Sequence, residues 1–362
     1  MRSLLLRLED FRLLPVFVAV SMAVGIAIGS LLNISDFELT PPIDALKAMA
    51  GGTFDASVPA LISLGVPLGL FAMMYPAMTN VRLTEVGVAF RSPRQLGVVM
   101  VLNYLVAPFF MLLLANLFVS DPELRTGLIL YGLAPCIAMV IVFTYLARGN
   151  TAMALVFVAL NSVIQMALIP VYAQILIGDV SFDVWVVFQS VLLYLGLPLA
   201  AGVLTRQVVV RRRGEAAMES LKPYLNGLSI VGLLFTLIVM FALKGDLILE
   251  QPTVVVEMAL PMTIFFVAMF FVALLVGSRL RFSYADGVAV AFNSTGRDFE
   301  IAIAIAITAF SPTVALATVV GPLIEVPVML ALVWSAMRLR PRLFPDGAGS
   351  GPAPQPEPAH AA

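Results

Sequence analysis

The chain has 362 residues, of which 61% are hydrophobic and only 12% charged, with a formal net charge of −1 and a mean hydropathy of +1.02. A soluble domain carries roughly 25% charged residues, so this composition excludes a soluble enzyme or a nucleic-acid-binding module and points to an integral membrane protein. One cysteine excludes an internal disulfide and a multi-cysteine metal cage.

Apolar stretches long enough to cross a bilayer as helices recur along almost the whole chain. They fall at 14–33, 58–78, 95–118, 126–147, 152–177, 183–206, 223–243, 253–277, 286–309 and 313–337. None shows the short alternating pattern of a membrane barrel, so the fold class is all-α, a polytopic protein of ten transmembrane helices. The basic residues before the first span lead into an apolar run too long for a cleavable signal, and this run is read as a spanning helix. With residues 1–13 placed in the cytoplasm, the inner side collects 17 of the 21 lysines and arginines and the outer side 3, while Arg297 lies within a span. That asymmetry places both termini on the cytoplasmic side of the cell membrane. The Gly-, Ala- and Pro-rich tail, residues 345–362, reads as a disordered cytoplasmic extension.

Two spans are interrupted. In 126–147 the run Leu-Tyr-Gly-Leu-Ala-Pro-Cys-Ile-Ala-Met carries Pro135 and Cys136 at its middle. In 286–309 the run Ala-Phe-Asn-Ser-Thr-Gly-Arg-Asp-Phe-Glu places Asn293 through Glu300 between apolar flanks. Unwound backbone at membrane depth is tolerated only around an enclosed or watered cavity. A pair of interrupted spans in corresponding positions of two halves marks the binding site of a secondary transporter.

The halves are residues 14–177 and 183–337, a 5+5 arrangement. A shift of 160 residues brings Pro135 and Cys136 onto Thr295 and Gly296, and Asn161 and Gln165 onto Gly321 and Glu325. With five spans each, the halves enter the membrane in opposite directions, as an inverted repeat with two discontinuous helices. Pro135 suits the first position of a restarting helix, and Thr295 with Asp298 three residues on resembles a capping arrangement for the second restart. Both restarts would aim positive helix ends at the centre of the protein.

Two readings stand for Cys136: a small buried packing residue, or a thiol whose thiolate is favoured at a half-helix start and serves as a soft ligand. Met139, one turn further, is the methionine to single out beside it. Glu325 is an ionisable group in an apolar span, and such a group is by default a proton carrier or substrate contact. Arg297 reads as an internal counter-ion for Glu300 and Glu325, or as an anion-binding group. Asp298 reads as a cap. Asn161 and Gln165 lie four apart on one helix face, either contacting a polar substrate or joining helices. Asn293 and Ser294 complete the polar set at the second break. No Gly-x-x-x-x-Gly-Lys occurs, so nothing calls for a nucleotide-hydrolysing role or an attached ATPase, and no cofactor is expected.

With these residues in hand, the chain resembles the arsenite efflux permeases, the arsenical-resistance branch of the bile acid/sodium symporter superfamily. The resemblance runs over nearly all of 14–337. It rests on Gly-Leu-Phe-Ala-Met-Met-Tyr-Pro at 69–76, Gly-Leu-Ala-Pro-Cys-Ile-Ala-Met-Val at 132–140 and Ala-Leu-Asn-Ser at 159–162. It rests also on Asp-Phe-Glu-Ile-Ala-Ile-Ala at 298–304 and Val-Val-Gly-Pro-Leu-Ile-Glu-Val-Pro-Val at 319–328. It implies two crossed discontinuous helices and export of trivalent arsenic, with Cys136 matching the essential cysteine and Glu300 and Glu325 the membrane carboxylates. Antimonite is a second candidate cargo. The pattern departs at Arg297 and Asp298, where such permeases usually carry two asparagines. A fixed guanidinium near the cation positions of sodium-coupled relatives favours protons over sodium as the coupling ion. The expected function is therefore metalloid/proton antiport. The rival is a sodium- or proton-coupled organic anion symporter, with Arg297 meeting the carboxylate.

Overall fold

A computed structural model describes residues 14–32, 58–79, 92–137, 139–178, 180–250 and 252–344. The N-terminal segment 1–13 and the tail 345–362, both expected in the cytoplasm, lie outside the described residues. Regular structure among the described residues is helical throughout. In chain order the helices are α1 (Leu14–Leu32), α2 (Val58–Thr79), α3 (Pro93–Phe118), α4 (Pro122–Leu133), α5 (Met139–Leu146) and α6 (Thr151–Leu176). Then follow α7 (Val184–Val191), α8 (Leu197–Glu250), α9 (Pro252–Arg279), α10 (Tyr284–Thr295), α11 (Phe299–Ala309), α12 (Pro312–Val319) and α13 (Gly321–Leu343). Pro93–Phe118, Thr151–Leu176, Val184–Val239, Val255–Arg279 and Gly321–Leu343 are each long and apolar enough to cross a membrane.

Prolines shape several of these helices. Within α3, Pro108 offers no N–H to the carbonyl of Tyr104, and the helix loosens into a π turn over Leu102–Val106. The Tyr172 hydroxyl on α6 donates to that Tyr104 carbonyl instead. A second π turn, Leu192–Gly196, joins α7 to α8 just before Pro198.

Two boundaries differ from the sequence expectation. The stretch between the expected spans 183–206 and 223–243 is helical on both sides of Gly214, where the chain breaks at φ 79°, a conformation that favours glycine. The single span expected over 313–337 is divided: α12 ends at Val319 and α13 begins at Gly321, because Pro322 cannot donate into a continuing helix.

Helices α1 and α2 each pack against α8. Gly25 and Gly29, four apart on α1, lie against α8; a Cβ at Gly25 would stand 2.6 Å from the Ile238 carbonyl oxygen. This close approach through small residues is how apolar helices associate without a hydrophobic driving force. Among the other helices, α10 and α11 form the most enclosed pair: α11 is buried on every side from Phe299 to Thr308, as an interior helix must be. Around them pack α4, α6, α7, α9 and α12, so the interrupted helices sit inside the protein.

Candidate substrate site

The site is built by two interruptions that satisfy each other. Helix α4 stops at Leu133, because Pro135 cannot donate and pushes Ala134 into extended backbone, φ −100° and ψ 107°. Helix α10 stops at Thr295, and Gly296 is extended at φ −61° and ψ 143°. The two stretches lie antiparallel, with Pro135 bridged to Arg297. Cys136 N donates to Gly296 O at 3.0 Å, and Asp298 N donates to Ala134 O at 2.8 Å. Backbone groups that would otherwise be unpaired in a water-poor interior thus find partners in each other.

Two details of the restarts are corrected by this geometry. Pro135 is not the first residue of the restarting helix; α5 begins at Met139, and Pro135 belongs to the extended pairing. Thr295 is not the cap of α11: it ends α10, with its hydroxyl bonded to Ala291 O at 2.7 Å. Asp298 caps α11 by accepting from Ile301 N at 3.1 Å.

Gly296 allows the tight crossing. A Cβ there would stand 2.5 Å from Val140 Cγ1, 3.1 Å from Cys136 Cβ and 3.4 Å from Met329 Cε. Cys136 is buried at this point, with 3% exposure. Met139 is half-buried, and Met329, not expected at the site, reaches the crossing from α13.

Helix α13 presents Gly321, Glu325 and Met329, spaced by four, to this region. Gly321 leaves room for the Tyr131 ring, whose Cε2 would be 2.6 Å from a Cβ. Glu325 is buried and accepts from the Tyr131 hydroxyl at 2.6 Å and from Arg297 N at 3.3 Å. Its carboxylate therefore touches both interrupted helices.

Arg297 is fully buried, but its side chain does not make the expected counter-ion contact. Its Nη2 donates to Asn103 Oδ1 at 3.1 Å and to Ser294 O at 2.7 Å, and the guanidinium lies 5.1 Å from the centre of the Phe265 ring. No direct guanidinium–carboxylate contact forms with Glu300 or Glu325; the main chain of Arg297 bonds Glu325, and the guanidinium acts on that carboxylate through space. Amide, carbonyl and aromatic face together hold the cation instead. Glu300 is buried in the first turn of α11, two residues after the capping Asp298.

On α6, Asn161 and Gln165 are fully buried. The Tyr104 hydroxyl donates to Asn161 Oδ1 at 3.2 Å, while neither end of the Gln165 amide has a protein partner among the described residues. Asn293 uses its Nδ2 on Ala289 O within its own helix, and its main-chain carbonyl accepts from Asn103 Nδ2 at 3.1 Å. Ser294 contributes its carbonyl to Arg297. The structure therefore gathers Pro135, Cys136, Asn293, Ser294, Arg297, Asp298 and Glu325 around one crossing, with Asn161 and Gln165 on the adjoining helix.

Sequence reasoning missed Tyr131, Asn103, Tyr104 and Phe265. For Asn103 and Tyr104 a signal was present: a polar pair inside an apolar span with a proline four residues after Tyr104. That arrangement marks a freed carbonyl and a π turn.

The family model described as the sodium bile acid symporter family matches residues 67–251. The chain belongs to this symporter family. Like its family, it is a multi-pass membrane transporter. The arsenical-resistance protein Acr3 of Corynebacterium glutamicum is 38% identical over 92% of this chain and 90% of its own length. Acr3 of Alkaliphilus metalliredigens is 36% identical over 92% of this chain and 94% of its own. An uncharacterized transporter of Synechocystis is 35% identical over 88% and 86%. A probable sodium/metabolite cotransporter of Arabidopsis thaliana chloroplasts, 27% identical, aligns over only 43% of this chain. The family resemblance drawn from the motifs is thus borne out, and two of the three relatives that align over most of this chain are arsenical-resistance proteins.

Proposed function

We propose that this transporter exports trivalent arsenic, as the neutral trihydroxy acid, from the cytoplasm across the cell membrane. The observation that carries the reading is the position of Cys136, a buried thiol whose main chain is bonded to the opposing break at Gly296. The full-length likeness to two arsenical-resistance proteins supports it. The thiol exchanges for one hydroxyl of the acid, forming one S–As bond and releasing one water, and water reverses the step on the far side. One sulfur keeps binding weak enough for release; three would trap the cargo.

The chain works as ten spans in two inverted five-span halves, 14–177 and 183–337, with both termini cytoplasmic. The antiparallel pairing of the two breaks supports this arrangement, and alternating access follows from one bundle rocking about the crossing. Export is coupled to proton entry through Glu325, which touches both interrupted helices. Antimonite, of like chemistry, is carried too. The organic anion reading draws on one observation, the Nε and Nη1 of Arg297, which have no protein partner among the described residues.

The test is flux into everted membrane vesicles, with arsenite compared against a panel of organic carboxylates, with and without sodium. Arsenite uptake without sodium supports the proposal. Sodium-dependent carboxylate uptake with no arsenite flux would falsify it.

A further inference from the structure

Buried polar atoms with no protein partner among the described residues gather on two packed elements. Five side chains supply seven of the nine: Asn161 Nδ2 and both ends of the Gln165 amide on α6, with Asn293 Oδ1, Ser294 Oγ, and Arg297 Nε and Nη1 at the second break; the other two are Asp298 Oδ2, on the residue that caps α11, and the Tyr194 hydroxyl in the π turn Leu192–Gly196. All five side chains have 0% exposure. One turn of α3 ties the two groups together, since Asn103 holds Arg297 and its neighbour Tyr104 holds Asn161. A buried polar atom left unpaired costs about 1–3 kcal/mol, so a set of this size on two facing elements calls for polar partners from outside the chain.

The set contains both kinds of partner. Asn161 Nδ2, Gln165 Nε2 and the two arginine nitrogens donate, Gln165 Oε1 and Asn293 Oδ1 accept, and the Ser294 hydroxyl does either. A bare carboxylate would use the donors and leave the acceptors; a bare cation would do the reverse. A small neutral solute bearing several hydroxyl groups uses both. We infer that these five side chains form a hydroxyl-reading chamber that takes small neutral trihydroxy acids as a class, boric acid included. Cys136 then adds the preference for a thiophilic element. This rests on the reading of the crossing as the cargo site, and it separates recognition of shape and hydroxyls from recognition of soft chemistry.

Boric acid is the discriminating probe, because it has three hydroxyls and no affinity for thiols. In proteoliposomes of the purified full chain, boron and arsenic flux are counted against protein-free liposomes. Wild type moves boric acid, and excess boric acid lowers arsenite flux at least fivefold. Cys136→Ala loses arsenite flux at least tenfold and keeps boric acid flux within twofold. Gln165→Leu and, independently, Asn161→Leu lower both fluxes. Arsenite flux without boric acid flux or competition in wild type, which needs no variant, overturns the chamber and leaves arsenite export standing. Loss of boric acid flux in Cys136→Ala overturns it as well, since the thiol would then carry the whole recognition. Absence of arsenite flux in wild type instead overturns the export reading itself.

Discussion

The Tyr131 hydroxyl donates a 2.6 Å hydrogen bond to Glu325 Oε2, joining α4 to α13 across 194 positions of sequence. The same carboxylate accepts from Arg297 N. A movement that parts α4 from α10 must therefore disturb Glu325, which links cargo position to the state of this carboxylate. Tyr131→Phe keeps the ring that fills the space over Gly321 and removes one donor. A hydrogen bond to a charged group contributes about 1.5–3 kcal/mol, so arsenite flux should fall about tenfold or more at equal protein level. Wild-type flux in the phenylalanine variant would reduce Tyr131 to a packing residue.

Glu325→Gln removes the ionisable proton while retaining an acceptor for Tyr131. Transport against an arsenite gradient should stop, and exchange without net proton movement should survive. The measurement is vesicle flux across an imposed pH gradient, sodium absent throughout. Wild-type flux that ignores the pH gradient would rule out proton coupling.

Cys136→Ser should leave the protein inserted and folded, because the bond to Gly296 is made by the main chain. Arsenite efflux and cellular resistance should nevertheless drop to background. Unchanged resistance in cells expressing the serine variant would take the sulfur out of the mechanism.

Gly296→Ala forces a methyl against Val140 Cγ1, 2.5 Å away. Overpacking of this kind costs about 1–3 kcal/mol, so the melting temperature in detergent should fall and flux with it. Val140→Ala in the same chain should restore part of both, since it removes the first obstacle. By contrast, Gly97 on α3 has nothing within 4 Å of a built Cβ. Gly97→Ala should be neutral or stabilise by about 0.5–1 kcal/mol.

Arg297→Lys replaces a planar fork with a point charge. Arg297 Nη2 reaches Asn103 and the Ser294 carbonyl while the guanidinium plane sits over Phe265, and an ammonium on a shorter stem cannot reproduce all three. Flux should decline about tenfold with charge conserved. Full activity in the lysine variant would show that charge alone is required.

The interruptions were legible because proline and charged residues stand out against apolar runs, as at Pro135 and Arg297. The depth of Glu325 was legible for the same reason. The stitching was not, since Cys136 N to Gly296 O and Asp298 N to Ala134 O are main-chain bonds with no side-chain signature. Side-chain direction was equally hidden. Arg297 sits three residues before Glu300, yet it turns to Asn103 on a helix nearly two hundred residues earlier, because that amide and the Phe265 ring occupy the space it enters. The restart of α11 at Asp298 instead of Thr295 depended on where α10 ended, which the spacing of polar residues alone does not fix.

The crossing is fastened by peptide groups, and that frees the side chains around it. Positions 136 and 297 contribute N–H or bridging backbone to the fastening independently of their side chains, while Gly296 must stay small. A scaffold fastened in this way can be refitted for a different cargo by exchanging side chains at the seam, with the fold unchanged. Selectivity is then an engineering variable: substitutions at 136 and 297 in a Gly296-preserving library should yield folded transporters whose preferences differ, as judged by growth on competing solutes.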